Sequence, residues 1–191
     1  LERRSRLERH LEQLGLQGRY ERFSAVRGHP DQARERGLYP GECGLWQSWL
    51  QLLQSASTRE DFDYLHIVED DVELSRDFVM FSERLNPDGG AFDLLVTDMY
   101  VNPSIHRTLA LQHEEQRRNG VIALRIDFYS GCLASVLIHR QRIGPVLEQL
   151  KRQFKSSGRL LPLDNALRQL QLQGKLRIGR TLPFLTGVQP D

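Results

Sequence analysis

A one-sided charge, a cysteine framework and long apolar runs are all missing from this 191-residue chain. Its 26 Lys+Arg are offset by 25 Asp+Glu, leaving a formal charge of +1. That balance argues against nucleic-acid or anionic-membrane binding driven by bulk charge. Lysine is scarce, with 3 residues against 23 arginines, a bias read as compositional. Two cysteines, Cys43 and Cys132, are too few for a disulfide scaffold or a four-cysteine zinc site. The six histidines (10, 29, 66, 106, 113 and 139) share no metal-binding spacing. No apolar run is long enough to span a bilayer and no signal peptide is visible, so the default compartment is the cytoplasm.

What is present is an ordinary globular mixture, 39% hydrophobic and 27% charged, at a length that suits one domain over 1–191. Leu7, Leu11 and Leu14 repeat with helical period ahead of Gly15. Tyr20 to Val26 reads as a short strand, residues 29–41 as a Pro/Gly loop, and Glu42 to Gln54 as a buried helix. Tyr64 to Val68 is an apolar strand, and Ser75 is placed to cap a helix that ends around 86–90. Phe92–Thr97, Val121–Ile126 and Cys132–Ile138 read as further strands. Helices are expected from Gly144-Pro145 and after Leu163-Asp164, before a strand and a Pro-punctuated tail. The polar bridge 102–120 is expected to be irregular, as a surface insertion or as a lid that orders over a ligand. Strands alternating with helices predict an α/β fold with a mostly parallel sheet. Because such domains usually open with a strand, a first strand is expected to be missing ahead of Leu1.

The chemistry is concentrated in Glu69-Asp70-Asp71, at the carboxyl end of the Tyr64–Val68 strand. Ligands of open α/β sheets bind at that edge. Two unit charges ~5 Å apart repel by roughly 3 kcal/mol at an effective dielectric of 20. A divalent cation removes that cost, and hard oxygen ligands select Mn²⁺ or Mg²⁺ over zinc. The competing explanation is a solvated acidic turn.

Two families place such a triplet after such a strand. In the receiver domains of response regulators, His66 to Leu74 resembles the opening acidic strand, and Phe92 to Met99 the phosphoacceptor strand, making Asp98 the phosphorylated residue. The interval from Asp71 to Asp98 holds one helix, where a receiver needs two helices and a strand. The second resemblance spans nearly the whole chain. Leu1 to Arg6 resembles the end of the first strand, with its arginine-bearing turn, of glycosyltransferase family 25, the lipooligosaccharide glycosyltransferases and their relatives. Tyr20 to Gly28 resembles its "rf-x-A-V-D-G" segment, and Gly41 to Trp49 its "G-E-x-G-C-x-x-S-H". Val68 to Val72 resembles its "L-E-D-D-V", Phe92 to Leu95 its "w-D-x-l", and Leu161 to Asn165 its "p-x-D-x". Leu182-Pro183-Phe184 with Gln189 resembles the closing "P-x-l-v-x-Q". Arg27, Leu45, Trp49 and Val136 stand where the family has Asp, Cys, His and Tyr.

The resemblance implies a GT-A-like (Rossmann-like) sheet flanked by helices and an inverting transfer of a sugar, commonly galactose, from a UDP-sugar. The acceptor would be a hydroxyl of a glycan or lipid-linked glycan. It implies Mn²⁺ or Mg²⁺ held by Glu69, Asp70 and Asp71, with Asp71 the direct ligand and Asp70 turned toward the ribose. The donor would also meet Arg6, Ala25 and Gly28. Asp164 is the implied general base, with Glu42 a second candidate for that role or for acceptor binding. As local structure, Asp164 makes an N-cap and Glu42 a first-turn acid. Location would be cytoplasmic or peripheral to the inner membrane, and a degenerate glycan-binding homologue is the non-catalytic alternative.

Overall fold

A computed structural model of the chain describes residues 2–86, 90–101, 103–126 and 129–188. Pro87, Asp88 and Gly89 of the expected helix-closing turn, and Gln189 of the closing motif, lie outside the described residues. Helix α1 (Glu2–Gln13) buries Leu11 and packs Leu7 beside it. Helices α2 (Pro30–Arg36) and α3 (Pro40–Ala56) follow, then strands β1 (Tyr64–Val68) and β2 (Val72–Leu74), helix α4 (Arg76–Ser82) and strand β3 (Leu94–Val96). A 3₁₀ turn over Pro103–Ile105 leads into α5 (His106–Asn119), then β4 (Ile122–Arg125), β5 (Ser135–His139) and α6 (Arg140–Lys155). The chain ends in α7 (Leu163–Leu172), β6 (Ile178–Leu182) and β7 (Thr186–Val188).

The fold is α/β, but the sheet is not the mostly parallel one expected. Its order is β1-β5-β3-β6-β4, and of the four described pairings only β3 with β6 is parallel. Strands β1, β3 and β6 do run the same way. The reversed β5 lies between β1 and β3 and runs the same way as β4, the strand before it, so both strands that follow α5 directly oppose β1, β3 and β6. Strands β3 and β5 are buried throughout, and their side chains alternate between two cores. Leu94, Val96, Val136, Ile138 and Ile178 face Trp46, Ile143, Leu150 and Leu167 of α3, α6 and α7. Leu95 and Leu137 face Leu11, Phe78 and Leu185 on the opposite side. The short strands β2 and β7 pair antiparallel beside this second layer.

Other expectations fail for identifiable reasons. Residues 29–41 are not one loop, because Pro30 starts α2 and Gly37, at φ 68°, ends it in the left-handed region that glycine allows. The bridge 102–120 is largely the helix α5, which buries Leu109. Helix α6 begins at Arg140, before Gly144-Pro145, capped by His139 Nδ1, which accepts from the Gln141 N–H at 3.3 Å. Burial of Ile143, Val146, Leu147 and Leu150 carries that helix through Pro145.

Tyr20–Val26 forms no strand. Its groups bond to side chains instead, Tyr20 OH to His66 Nδ1 at 2.6 Å and the Val26 N–H to Ser48 Oγ at 2.8 Å. Between this segment and β1 runs a groove of about 840 Å³ lined by Tyr20, Phe62, Tyr64, His66 and Phe78. The Glu69 N–H bonds Ala134 O and the Arg140 N–H bonds Asp63 O, so odd-numbered residues of β1 direct their backbone groups at β5. Those of Tyr64, His66 and Val68 therefore face the groove, where no described strand pairs with them. Among the described residues no helix is long and apolar enough to cross a membrane.

Candidate active site

The carboxyl ends of β1 and β3 and the entry to β5 meet at one edge of the sheet. Glu69 and Asp71 follow β1, Asp98 follows β3, and Cys132 precedes β5. The intervening loop is tightly held. Tyr129 is wholly buried, donates its OH to Cys132 O at 2.7 Å, and gives its backbone N–H to Gln171 Oε1 at 2.7 Å. Gln171 Nε2 donates to Ile126 O at 2.7 Å, so α7 anchors the loop through one side chain. Ser130 Oγ donates to Tyr100 O at 2.5 Å, and the Tyr100 N–H to Gly131 O at 3.4 Å. Gly131 at φ 111° and Cys132 at φ 85° are both left-handed, and a non-glycine residue there stores strain of the kind that collects at functional sites.

That turn brings Asp164 to the edge. A Cβ on Gly131 would lie 3.3 Å from Asp164 Oδ2. Asp164 is not the N-cap expected of it; Pro162 holds that position, and Asp164 sits in the first turn of α7 accepting from the Asn165 N–H at 2.8 Å. Four carboxylates from three stretches of sequence thus surround the Tyr129–Cys132 loop. Burial, reinforced by Asp98, Glu69 and Asp71, pushes the Cys132 thiol up to about 11. Burial first, then Cys132, Asp164 and Glu69, raise the Tyr129 hydroxyl above its ordinary value. Glu69 stays open to solvent as a residue, yet the protein around its carboxyl, then Asp71 and Asp70, hold it above the usual carboxylate range. Burial raises Asp98 in the same direction, opposed by the Met99 N–H that its Oδ1 accepts at 2.7 Å.

One carboxylate oxygen of Asp71 is left for a cation and the other already faces an arginine. Its Oδ1 is buried without a hydrogen-bond partner, and its Oδ2 lies 3.5 Å from the Arg3 guanidinium. Among the described residues no three His, Cys, Asp or Glu side chains are gathered as a ready metal-ligand set. The donor chemistry therefore fits a cation held by one or two carboxylates, with substrate oxygens and water completing its shell, the usual state of Mg²⁺ sites.

The remaining sequence candidates lie apart from this cluster. Glu42 Oε2 accepts the Tyr39 N–H at 2.7 Å, as the first-turn acid of α3. Arg6 is exposed on α1, 3.7 Å from Glu2, and Arg3, one turn earlier, is the arginine at the acidic edge. Ala25 is exposed, and Asp70 is exposed beside the cluster. Gly28 is a packing residue: a Cβ would fall 1.9 Å from Pro40 O and 2.7 Å from the Gly44 nitrogen. Between Asp71 and Asp98 lies one α-helix, α4, and β5 separates β1 from β3. Sequence reasoning missed Tyr129, Gly131, Cys132 and Gln171. Gly131 gave a turn signal, but nothing local announced the left-handed Cys132 or the reach of Gln171. The chain matches no protein-family model and no curated protein.

Proposed function

We propose that this chain is a metal-dependent, inverting glycosyltransferase similar to family 25, with a GT-A-like variant of the α/β fold, moving a sugar from a UDP-sugar to a glycan hydroxyl. The supporting observation is the convergence of Glu69, Asp71, Asp98 and Asp164 on the strained Tyr129–Cys132 loop at the carboxyl ends of β1 and β3. Residues nearly a hundred positions apart are gathered at the edge where α/β sheets bind ligands.

A bound Mn²⁺ or Mg²⁺ supplies Lewis-acid stabilisation of the departing diphosphate. The chain's own residues do the rest. Asp71, with its unpartnered Oδ1, and Glu69 present oxygens to the cation. Asp70, exposed beside them, is free to turn toward the ribose of the donor. Asp164 takes the proton of the attacking hydroxyl; Gly131, having no side chain, leaves its Oδ2 approachable from the loop side. The transferred sugar is galactose in this reading, and the acceptor a glycan or lipid-linked glycan met in the cytoplasm or at the inner-membrane surface.

Calorimetry of UDP and UDP-galactose with and without Mn²⁺ tests the reading. Saturable binding that needs Mn²⁺, and that Asp71→Ala removes while the melting curve stays cooperative, is the expected result. Sugar binding indifferent to EDTA would favour a non-catalytic glycan-binding protein. No nucleotide affinity in the presence of Mn²⁺ would overturn the proposal.

A further inference from the structure

A second cluster lies beyond the acidic edge. Arg180, in β6, sits beside Val96 of β3 and Leu124 of β4, half-buried in the middle of the sheet. Its guanidinium lies 5.7 Å from the centre of the Phe184 ring. Among the described residues that ring is its partner, and no carboxylate pairs with it. Across the same ring, His113 of α5 makes an edge-on contact at 4.4 Å, and its Nε2 is buried without a hydrogen-bond partner. Arg117, one helical turn after His113 and exposed, acts electrostatically on that imidazole together with Arg180.

The Arg180 guanidinium and the His113 imidazole thus share the Phe184 ring, Arg117 acts on the same imidazole, and among the described residues no carboxylate pairs with either arginine. A half-buried cation without a counter-charge is costly, and an orphaned buried nitrogen adds to that cost. Both costs fall if an oxyanion enters. A guanidinium offers paired N–H groups that match phosphate oxygens, and the N–H of a neutral imidazole adds a further donor. We propose that Arg180, His113 and Arg117 form a phosphate-binding site against Phe184. Burial and the two arginines hold the His113 ring toward its neutral form, so the site offers two guanidinium charges and an imidazole N–H, which suit a phosphate better than a single carboxylate.

The location gives the site a use. Arg180 neighbours Val96, two residues before Asp98, and the Leu185 N–H bonds Thr97 O at 2.9 Å, tying the Phe184 segment to the end of β3. A phosphorylated ligand held here would therefore adjoin the acidic edge. Phosphate binding here needs neither the metal nor turnover, which keeps its test separate.

The probe is inorganic phosphate in EDTA-containing buffer at constant ionic strength, followed by calorimetry and by the imidazole resonances of His113. Saturable binding that moves the His113 signals is expected, weakened about tenfold or more in Arg180→Gln. Arg117→Gln, on an exposed helix face that leaves the fold intact, should weaken it a few-fold. Asp71→Ala should leave it unchanged. Competition by UDP in EDTA would mark the donor diphosphate as the natural source, and competition by a sugar phosphate alone would mark the acceptor; either supports the site. Phosphate affinity unchanged in both arginine variants, no saturable shift of His113, or loss of binding in Asp71→Ala would overturn it.

Discussion

Arg3 and Asp71, 68 positions apart in sequence, meet at 3.5 Å across the start of α1 and the end of β1. The guanidinium, 3.5 Å from Oδ2, offsets part of the negative charge that would draw a cation to Oδ1 of the same carboxylate. Removing it should therefore free Asp71 for a metal. Arg3→Ala is expected to tighten Mn²⁺ binding a few-fold in calorimetry at low ionic strength. Because the pair is half open to water, the gain should shrink as salt is raised. An unchanged or weaker Mn²⁺ affinity would show that Arg3 does not compete at this position.

Asp164 is expected to act on the proton of the acceptor rather than on the donor. Asp164→Asn should lower turnover by about 10²–10⁴ while Mn²⁺-dependent UDP binding stays within twofold of the parent. Full turnover in the variant would place the base elsewhere, and equal loss of binding and turnover would make Asp164 a donor ligand.

His66 links stability to pH. Its ring is enclosed by Tyr20, Ser135 and Phe78, accepts or donates at 2.6 Å and 2.8 Å, and burial pushes its pKa down to about 3. Between the ordinary histidine value near 6.5 and about 3, the unfolded chain binds a proton that the folded chain refuses. Stability contributed by the neutral ring is thus complete above pH ~6.5 and is lost progressively as pH falls toward 3. Denaturant midpoints measured from pH 7.5 to 4.5 should fall steeply, and His66→Gln should flatten that slope. Parallel slopes in the two proteins would assign the acid sensitivity to other groups.

Gly131 holds a conformation and a space that a side chain disturbs. At φ 111°, with Asp164 Oδ2 3.3 Å from a would-be Cβ, Gly131→Ala should cost on the order of 1–3 kcal/mol in chemical denaturation. Turnover should fall further than stability does, since the side chain pushes on the proposed base. Melting and activity that both match the parent would mean the loop adapts without effect on the site.

Gly28 gives a contrasting case. A Cβ added here would collide with backbone atoms of Pro40 and Gly44, which cannot swing aside as a side-chain tip does. Gly28→Ala should destabilise the chain by several kcal/mol or prevent its recovery as folded protein, beyond the usual ~1 kcal/mol of a point mutation. A variant that folds normally yet loses nucleotide binding would restore Gly28 to the donor site.

Much of this fold is legible locally and the rest is not, for physical reasons. The run Tyr64–Val68 announces β1 because five apolar or aromatic residues end abruptly in three acids. Ser75 caps α4 through its Oγ, which accepts the Phe78 N–H at 3.2 Å, as its sequence position indicates. Tyr20–Val26 has the same strand-like composition, yet a ladder needs a neighbour and none of the described residues supplies one. The three-residue strands β2 and β7 exist only through each other, with Val72 opposite Val188 and Leu74 opposite Thr186, and carry too little pattern to be read singly. Strand direction is equally non-local: nothing within Ser135–His139 says that β1 and β3 will flank it in reverse. At the site, the acidic trio and Asp164 stand out as residue types. Their meeting depends on Gln171 and on two left-handed residues, which only the folded chain displays.

The bare flank of β1 gives this molecule an asymmetric stickiness. Tyr64, His66 and Val68 offer main-chain donors and acceptors at the two-residue repeat of an extended polypeptide, above a greasy floor and within a rim of Arg59, Asp61 and Asp63. Any backbone that reaches this lip in β conformation completes a ladder already half written. An unpaired edge of this kind makes self-association rise with the concentration of the chain.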